Sequence, residues 1–550
     1  MNARRIMFIF IAFSVSFLML LLRVFYIQAF EGKKLASRAN AQRIYSTTLY
    51  KARGDIVDRN GIKFTNRTKM TLAVVRPLDL AAKPEEIEIV ANILGRNDVE
   101  MFKREIEVNK RAIVIGVDEE KEKIIKQLEL SSVTLLYTFK RYDDESIAKH
   151  VTGYLRKADS KGAYGVEKYF DKELETDKTI EAEIITDARN NIFKGFGYKI
   201  TRMGFEKNTH FNVKLTLDYH IQYIVEKVME EMQVTGAVAV VDTTSGNVLA
   251  LASKPDYKHE KIEMYLSSTS KELFNRATAS YSPGSIFKII DAAVLIENGL
   301  DIDEKVFCEG GITVGDRYFR CSSYLSGGHG EVDIKKAFAQ SCNTFFIDRA
   351  IKTGAQPLLE MAARLGLGQK TNLSDQGIVE SPGNIPNKSK YFSKGDIANI
   401  SIGQGDILAT PVQIAAIISA IANDGIMHQL NIVDSIVDEE GNIIRNMRSR
   451  EFKRVFEKET AKKLKELMYG VTNEGTGIAA RLDELGGAAG KTGSAQTGKD
   501  GIVHAWFAGF FPYNAPRYAM CVFVENGQYG GKTAAPVFAE IAQKMHSAGF

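Results

Sequence analysis

From Ile6 to Leu22 the chain runs without a charged residue, and its apolar character resumes after Arg23 as far as Phe30. A run of this length can cross a bilayer as a helix, which ties whatever follows it to a membrane surface. A cleaved leader would have a shorter apolar core followed by small residues. Here Glu31-Gly32-Lys33-Lys34 follows directly, and Ala39-Asn40-Ala41 lies too far on. The reading is an uncleaved signal anchor over residues 6–30 behind a short cytoplasmic tail, residues 1–5. Arg4 and Arg5 favour a cytoplasmic N-terminus, while Lys33, Lys34 and Arg38 on the other flank pull against that bias.

The remainder is too long for a single core. A net charge of +4 in 550 residues gives no argument for a nucleic-acid partner. Residues 31–209 alternate short apolar runs with charged stretches such as Pro84–Glu88 and Asp118–Lys123, the pattern of a mixed α/β region with solvated helix faces. Within it, Asn60-Gly61 predicts a tight hairpin between Asp55-Ile56-Val57 and Ile62-Lys63-Phe64. A second domain, residues 210–550, begins with a strand at Val213–Leu217 and a helix at His220–Met232. A hairpin of near-continuous apolar strands follows, turning at Thr244-Ser245-Gly246, and the last helix falls near Pro536–Met545.

In this second domain Ser285 and Lys288 stand three residues apart, a hydroxyl and an amine on one face of a helix start. Ser146–Lys149 and Ser268–Lys271 have the same spacing. Ser285 follows Pro283-Gly284 and opens the apolar run Ile286–Glu297, whereas the other two lie in polar, surface-like surroundings. A serine is a weak nucleophile until a base takes its proton, and a lysine does so only where its pKa is depressed. A second cation could depress it, and Lys491-Thr492-Gly493 supplies one at the start of a predicted antiparallel hairpin running through Ser494 to Phe511. The first strand of that hairpin would lie at a sheet edge, open to a peptide. Lys352-Thr353-Gly354 repeats the letters at a helix end, where Gly354 serves as terminator. Between the two lysines lies Ser341-Cys342-Asn343, which offers a hydroxyl for proton relay and an amide for a peptide carbonyl. Ser245-Gly246-Asn247 shares that pattern but reads as a hairpin turn.

Cys308, Cys321, His329 and Cys342 cluster ahead of the same segment with the spacing Cys-x12-Cys-x7-His-x12-Cys. Two readings stand: a structural zinc held by three thiolates and an imidazole, or a Cys308–Cys321 disulfide with His329 in a polar turn. Cys521 reads as a buried strand residue.

In order and context, Ser285–Lys288, Ser341–Asn343 and Lys491–Gly493 resemble the SxxK, SxN and KTG motifs of the serine acyl-transferases that bind penicillin. With Arg53–Gly61, Gly165-Val166-Glu167 and the anchor, nearly the whole chain is similar to a class B penicillin-binding protein. The resemblance implies a multidomain α/β and α+β protein with an N-terminal pedestal domain and a β-lactamase-like transpeptidase domain, built on a mainly antiparallel sheet flanked by helices. It implies a D,D-transpeptidase that cross-links peptidoglycan stem peptides through a Ser285 acyl-enzyme, is acylated by β-lactams and needs no cofactor for catalysis. Lys288 would be the base, Ser341 a proton relay, Asn343 the group that orients the substrate and Lys491 a source of positive charge, with Thr492 binding the terminal carboxylate on a substrate-binding strand that includes Gly493 and Ser494. An extracytoplasmic body and a polytopic glycan polymerase as partner are also implied. A β-lactam sensor or an idle scaffold is the alternative; the lack of a signalling domain speaks against the first and the intact motifs against the second.

Overall fold

The computed structural model describes residues 3–36, 44–108, 112–130, 132–185, 198–203, 211–299, 304–387, 392–498 and 501–550. Met1 and Asn2 of the expected tail, Arg38 to Ala41, Thr209 and His210 at the expected domain boundary, and Lys499 and Asp500 of the expected hairpin turn lie outside the described residues. The N-terminal segment is a helix, Ala3–Tyr26, whose side chains are exposed throughout. At 1.5 Å per residue it is about 36 Å long, and it is long and apolar enough to cross a membrane.

The chain groups into two compact units that do not follow chain order. The first comprises residues 1–52, 69–139 and 176–208. It contains a three-stranded sheet with Thr68–Val75 between Ile113–Val117 and Val133–Lys140, and a small core around Leu80, Val90 and Phe102. The second takes in residues 53–68 and 140–175 together with 209–550. Strand pairing of Ile56 with Val213 and the Lys149–Asp256 ion pair join these two early segments to the rest of the unit, and charge ties them to each other. Glu167, fully buried, accepts from Arg53 Nε at 2.8 Å and from Arg141 Nε at 2.7 Å, and Arg53 also reaches Asp171 at 2.8 Å. Removing one member of such a desolvated set leaves a buried charge unpaired, so the segments Arg53–Gly61 and Gly165–Glu167 are held as one piece.

The second unit is built on a five-stranded antiparallel sheet. In chain order its strands are β1 (Gly236–Asp242), β2 (Val248–Lys254), β3 (Ala489–Gln496), β4 (Val503–Phe511) and β5 (Tyr518–Val524). Their spatial order is β2-β1-β5-β4-β3, which leaves β3 at an edge. Alternate residues of each strand enter different cores. Ala239, Val241, Trp506, Ala508 and Cys521 face one, and Val238, Val240, Phe507, Met520 and Val522 face the other. Both faces are covered, and that is why the strands read as unbroken apolar runs. One face carries the helix Pro411–Ala422, buried along its full length and started by a Thr410–Gln413 capping box with proline at its first position. The other carries Tyr219–Glu231 and Ala534–Ser547.

A group of buried titratable residues lies where residues 140–175 pack against the rest of the second unit. His150 Nε2 lies 2.9 Å from the Glu272 carbonyl, His259 stacks on Tyr142 with centroids 3.9 Å apart, and Lys149 pairs with Asp256 at 3.2 Å. Burial pushes both histidines down to about 4. Their folded pKa values lie below those of the unfolded chain, so the stability they contribute is fully present above about pH 6.5 and is lost as pH falls through about 4. Thermal unfolding followed from pH 7 to pH 4 is expected to show this loss, on the order of 3 kcal/mol for His150. His150→Gln should shrink it, and an unchanged pH profile in that variant would remove His150 from the account.

Candidate active site

Ser285 is placed by a 3₁₀ turn, Gly284–Phe287, that runs directly into the helix Lys288–Glu297. The sequence predicts a serine in the first turn of an α-helix; the tighter 3₁₀ turn found here places Ser285 one turn ahead of that helix. Two glycines permit it. Gly403 has φ +66°, and a Cβ there would lie 2.0 Å from the Gly284 carbonyl oxygen. Gly284 has φ +55°, and its Cβ would lie 2.6 Å from the Ser494 carbonyl oxygen. The backbones are thus close-packed beneath the serine, with Gly284 N donating to Gly403 O at 3.0 Å.

The two lysines meet on Ser341. Lys288 Nζ donates to Ser341 O at 2.8 Å, Ser341 Oγ at 3.3 Å and Asn343 Oδ1 at 2.7 Å, and Lys491 Nζ donates to Ser341 Oγ at 3.0 Å. Among the described residues Lys288 therefore bonds to the Ser341–Asn343 segment and not to the Ser285 hydroxyl. Ser341 itself has φ +56°, the left-handed region that non-glycine residues enter at a cost, and this turns its carbonyl and hydroxyl toward the lysines. Both lysines are fully buried. Burial pushes Lys288 down to about 8, with Cys321, Cys342 and Asp291 pulling the other way. Burial pushes Lys491 well below the usual lysine range, and the charge on Lys288 adds to that.

Lys491, Thr492, Gly493 and Ser494 lie consecutively on the edge strand β3, paired through β4 from Ala489↔Phe510 to Gln496↔Val503. Thr492 Oγ1 is 2.6 Å from Thr476 Oγ1, a partner that no sequence motif points to. Ser285, Asn343 and Ser494 line an open cleft of about 790 Å³, and Asn343 Oδ1 joins this lining to the buried Lys288. The arrangement combines a cleft-lining serine at a helix start with two depressed-pKa amines bonded to a second serine, the groups that acyl transfer through an oxygen ester requires.

The look-alike motifs are not brought to this cleft. Ser268 and Lys271 are surface residues. The Ser146 motif is not at the surface as expected, because Lys149 is buried on Asp256 and Ser146 Oγ turns to Asp143. Gly354 caps the helix Asn343–Thr353, and Ser245 Oγ bonds Asp242 within the β1–β2 turn.

Next to Asn343, the donor atoms of Cys308, Cys321, His329 and Cys342 all lie within 4.8 Å of one another. Cys308 Sγ and Cys321 Sγ are 3.6 and 3.5 Å from His329 Nδ1, and Cys321 Sγ is 3.8 Å from Cys342 Sγ. No cysteine is in a disulfide, and Cys521 is buried on the central strand β5.

The penicillin binding protein transpeptidase domain family matches residues 236–543. The chain belongs to this family. Stage V sporulation protein D of Bacillus subtilis (strain 168) is 29% identical over 571 residues, covering 98% of this chain and 84% of that protein. Peptidoglycan D,D-transpeptidase MrdA of Acinetobacter baumannii is 27% identical and covers 95% of this chain and 85% of that one. Among solved structures, one described as "Structural coordination of polymerization and crosslinking by a peptidoglycan synthase complex" superposes with TM-score 0.69 at 25% identity, covering 98% of each chain. Penicillin-Binding Protein (PBP2) from Helicobacter pylori shares the fold with TM-score 0.69 at 23% identity, over 92% of this chain and 100% of that one. Likeness along nearly the full length, with a single N-terminal apolar helix, is that of a class B penicillin-binding protein.

Gly403→Ala tests the close-packed floor of the serine turn. It is expected to slow labelling by a fluorescent penicillin at least tenfold and to cost about 1–3 kcal/mol of stability. A normal labelling rate at an unchanged melting temperature would show that the Gly284–Gly403 approach does not position the serine.

Proposed function

We propose that Ser285 is the nucleophile of this peptidoglycan D,D-transpeptidase and Lys288 its base. The observation that carries the reading is the convergence of two buried amines on Ser341 Oγ directly behind the one hydroxyl of the 3₁₀ turn that opens on the cleft. Neutral Lys288 takes the Ser285 proton as Oγ attacks the carbonyl carbon of the penultimate D-alanine of a stem peptide. The C–N bond breaks, the terminal D-alanine leaves with a proton relayed through Ser341, and an ester to Ser285 is left. The amine of a neighbouring stem peptide then attacks that ester, and Ser285 Oγ departs as its proton returns. The backbone N–H groups of Ser285 and Ser494 hold the oxyanion, Asn343 orients the acyl part, and Lys491 with Thr492 and Gly493 takes the terminal carboxylate at the β3 edge. β-Lactams enter the same cleft and stop at the ester.

The apolar helix anchors the protein in the membrane with residues 1–5 cytoplasmic and the two folded units outside, where the stem peptides are. Residues 31–209 serve as pedestal and residues 210–550 as transpeptidase domain, except that residues 53–68 and 140–175 fold with the latter. The proposed partner is a polytopic glycan polymerase, a reading supported by likeness to a chain solved in a peptidoglycan synthase complex described as coordinating polymerization and crosslinking.

The cysteine cluster is read as a structural zinc site. A tetrahedral zinc with bonds of about 2.3 Å to sulfur and about 2.0 Å to nitrogen has S···S edges near 3.8 Å and S···N edges near 3.5 Å. The separations of 3.8, 3.5 and 3.6 Å match that polyhedron. The metal supplies no chemistry to acyl transfer; Cys308, Cys321, His329 and Cys342 would hold it as a brace.

Ser285→Ala should abolish labelling by a fluorescent penicillin, and persistent labelling would sink the assignment. In the native protein the acylation rate should climb as pH rises through about 8, because Lys288 accepts a proton only once it has lost its own. A rate flat from pH 6 to 9 would argue against Lys288 as base. Elemental analysis of the purified full chain is expected to find one zinc per chain, lost together with several degrees of melting temperature in Cys308→Ser. Metal-free protein of undiminished stability would reject the brace.

A further inference from the structure

The cleft that exposes Ser285 has a second wall to which the acyl-transfer chemistry gives no part. It is the hairpin formed by Gly311–Val314 and Arg317–Arg320, paired antiparallel from Gly311↔Arg320 to Val314↔Arg317. Phe319 pins it to the body of the domain through a small core with Ile347 and Ala398. Arg317, Tyr318 and Arg320 line the same cleft as Ser285 and are exposed there. Arg320 is held close to the site by its own backbone, whose carbonyl accepts from Asn343 Nδ2 at 2.8 Å.

Neither arginine has a carboxylate partner among the described residues. Arg317 lies over the Phe319 ring at 5.1 Å and Arg320 over the Tyr324 ring at 4.9 Å. The described lining of the cleft includes no aspartate or glutamate, and its other polar side chains are neutral amides and hydroxyls. Two guanidinium groups stacked on rings keep their planar donor edges free, the geometry that takes a carboxylate in bidentate fashion. The acceptor substrate is an amine, which this wall would repel. The terminal carboxylate of the donor belongs to Lys491 and Thr492 on the β3 edge and departs with the leaving group.

We propose that the Arg317–Arg320 strand is a specificity element that reads a carboxylate on the retained, acyl part of the donor stem peptide. The inference rests on the acyl-transfer reading of the cleft and adds the substrate class: donors with an acidic side chain ahead of the D-alanyl-D-alanine pair over those in which that group is amidated. The two arginines are spaced about 10 Å along the strand, so one or two such groups on an extended peptide can be met.

Two soluble peptides ending in D-alanyl-D-alanine, identical except for a side-chain carboxylate or its primary amide in the residue before that pair, test this on the full-length protein. D-Alanine release gives kcat/KM, and protection against fluorescent-penicillin labelling gives affinity independently of turnover. The carboxylate peptide should be preferred roughly 2- to 5-fold at low salt, mainly through KM, with the preference falling as ionic strength rises. The double variant Arg317→Gln/Arg320→Gln should bring the ratio near one, Arg317→Glu/Arg320→Glu should invert it, and Arg317→Lys/Arg320→Lys should keep part of it. A wild-type ratio near one in both readouts overturns the proposal. So does a preference that the glutamine pair leaves unmoved, or an equal loss toward both peptides in every variant, which would mark the arginines as props for the hairpin. Penicillin labelling that is normal while the ratio is one defeats this inference alone; absence of labelling in the wild type defeats the acyl-transfer reading and this inference with it.

Discussion

Two buried amines share one hydroxyl, and the site is organised around that sharing. Lys288 and Lys491 approach Ser341 Oγ at 3.3 and 3.0 Å with no exposed surface on either side chain. An ammonium out of water is costly unless it is paired, and among the described residues neither lysine has a carboxylate salt-bridge partner. The cost is met by a weakened hold on the proton, since burial lowers Lys288 to about 8 and Lys491 well below the usual lysine range, and by strong acceptors such as Ser341 O and Asn343 Oδ1. A neutral amine behind a hydroxyl is a base in waiting, so the condition that makes the lysines awkward to bury is the one that makes them useful.

That arrangement needs three segments far apart in sequence to be fixed within a few tenths of an ångström, and the sheet supplies the fixing. β3 carries Lys491 at its edge because β4 and β5 hold it from one side only, and the serine turn is pressed onto β3 closely enough that Gly284 and Gly493 have no room for a Cβ. A Cβ on Gly493 would lie 2.8 Å from Ile286 Cγ1 and 3.0 Å from Pro283 O. The edge strand is a liability for aggregation in an ordinary sheet. Here its open side faces the cleft and is available to an extended peptide.

Much of this was legible from the chain because helix starts and helix ends carry different local chemistry. Pro283-Gly284 before an apolar run marked Ser285 as a helix start, and Gly354 at φ +84° ends its helix as its letters suggested. The hairpin β3–β4 followed from a polar turn set before the apolar run Val503–Phe511, and the burial of Cys521 from the apolar run around it. What was hidden depends on partners distant in sequence. Acidic neighbours made the Ser146 motif look solvated, yet Lys149 is buried because Asp256 stands 107 residues away to pair with it. Likewise nothing local says that residues 53–68 and 140–175 fold with the C-terminal unit; the Ile56–Val213 strand pairing and the Lys149–Asp256 ion pair decide it, while the Arg53–Glu167–Arg141 set ties the two segments to each other. The left-handed turn at Ser341 was equally unreadable, since serine has no preference for it and only the surrounding bonds impose it.

Asn343 shows where those bonds come from. Its Oδ1 accepts from Lys288, its Nδ2 donates to the Arg320 carbonyl, and its backbone N–H donates to Cys321 Sγ at 3.2 Å. One residue therefore joins the base, the arginine-bearing hairpin and the cysteine cluster, immediately after the strained Ser341. Strain of this kind persists only where neighbours over-determine the backbone. The Cys308–Cys321–His329–Cys342 cluster is the densest set of such neighbours on that side, and Cys342 lies directly between Ser341 and Asn343. The cluster therefore bears on geometry at two distances: on the Ser341 turn under the lysines, through Cys342 beside it, and on the hairpin that lines the cleft, through Asn343 and the Arg320 carbonyl. The lysine side and the cleft side of the site are in this way fixed by the same few backbone atoms.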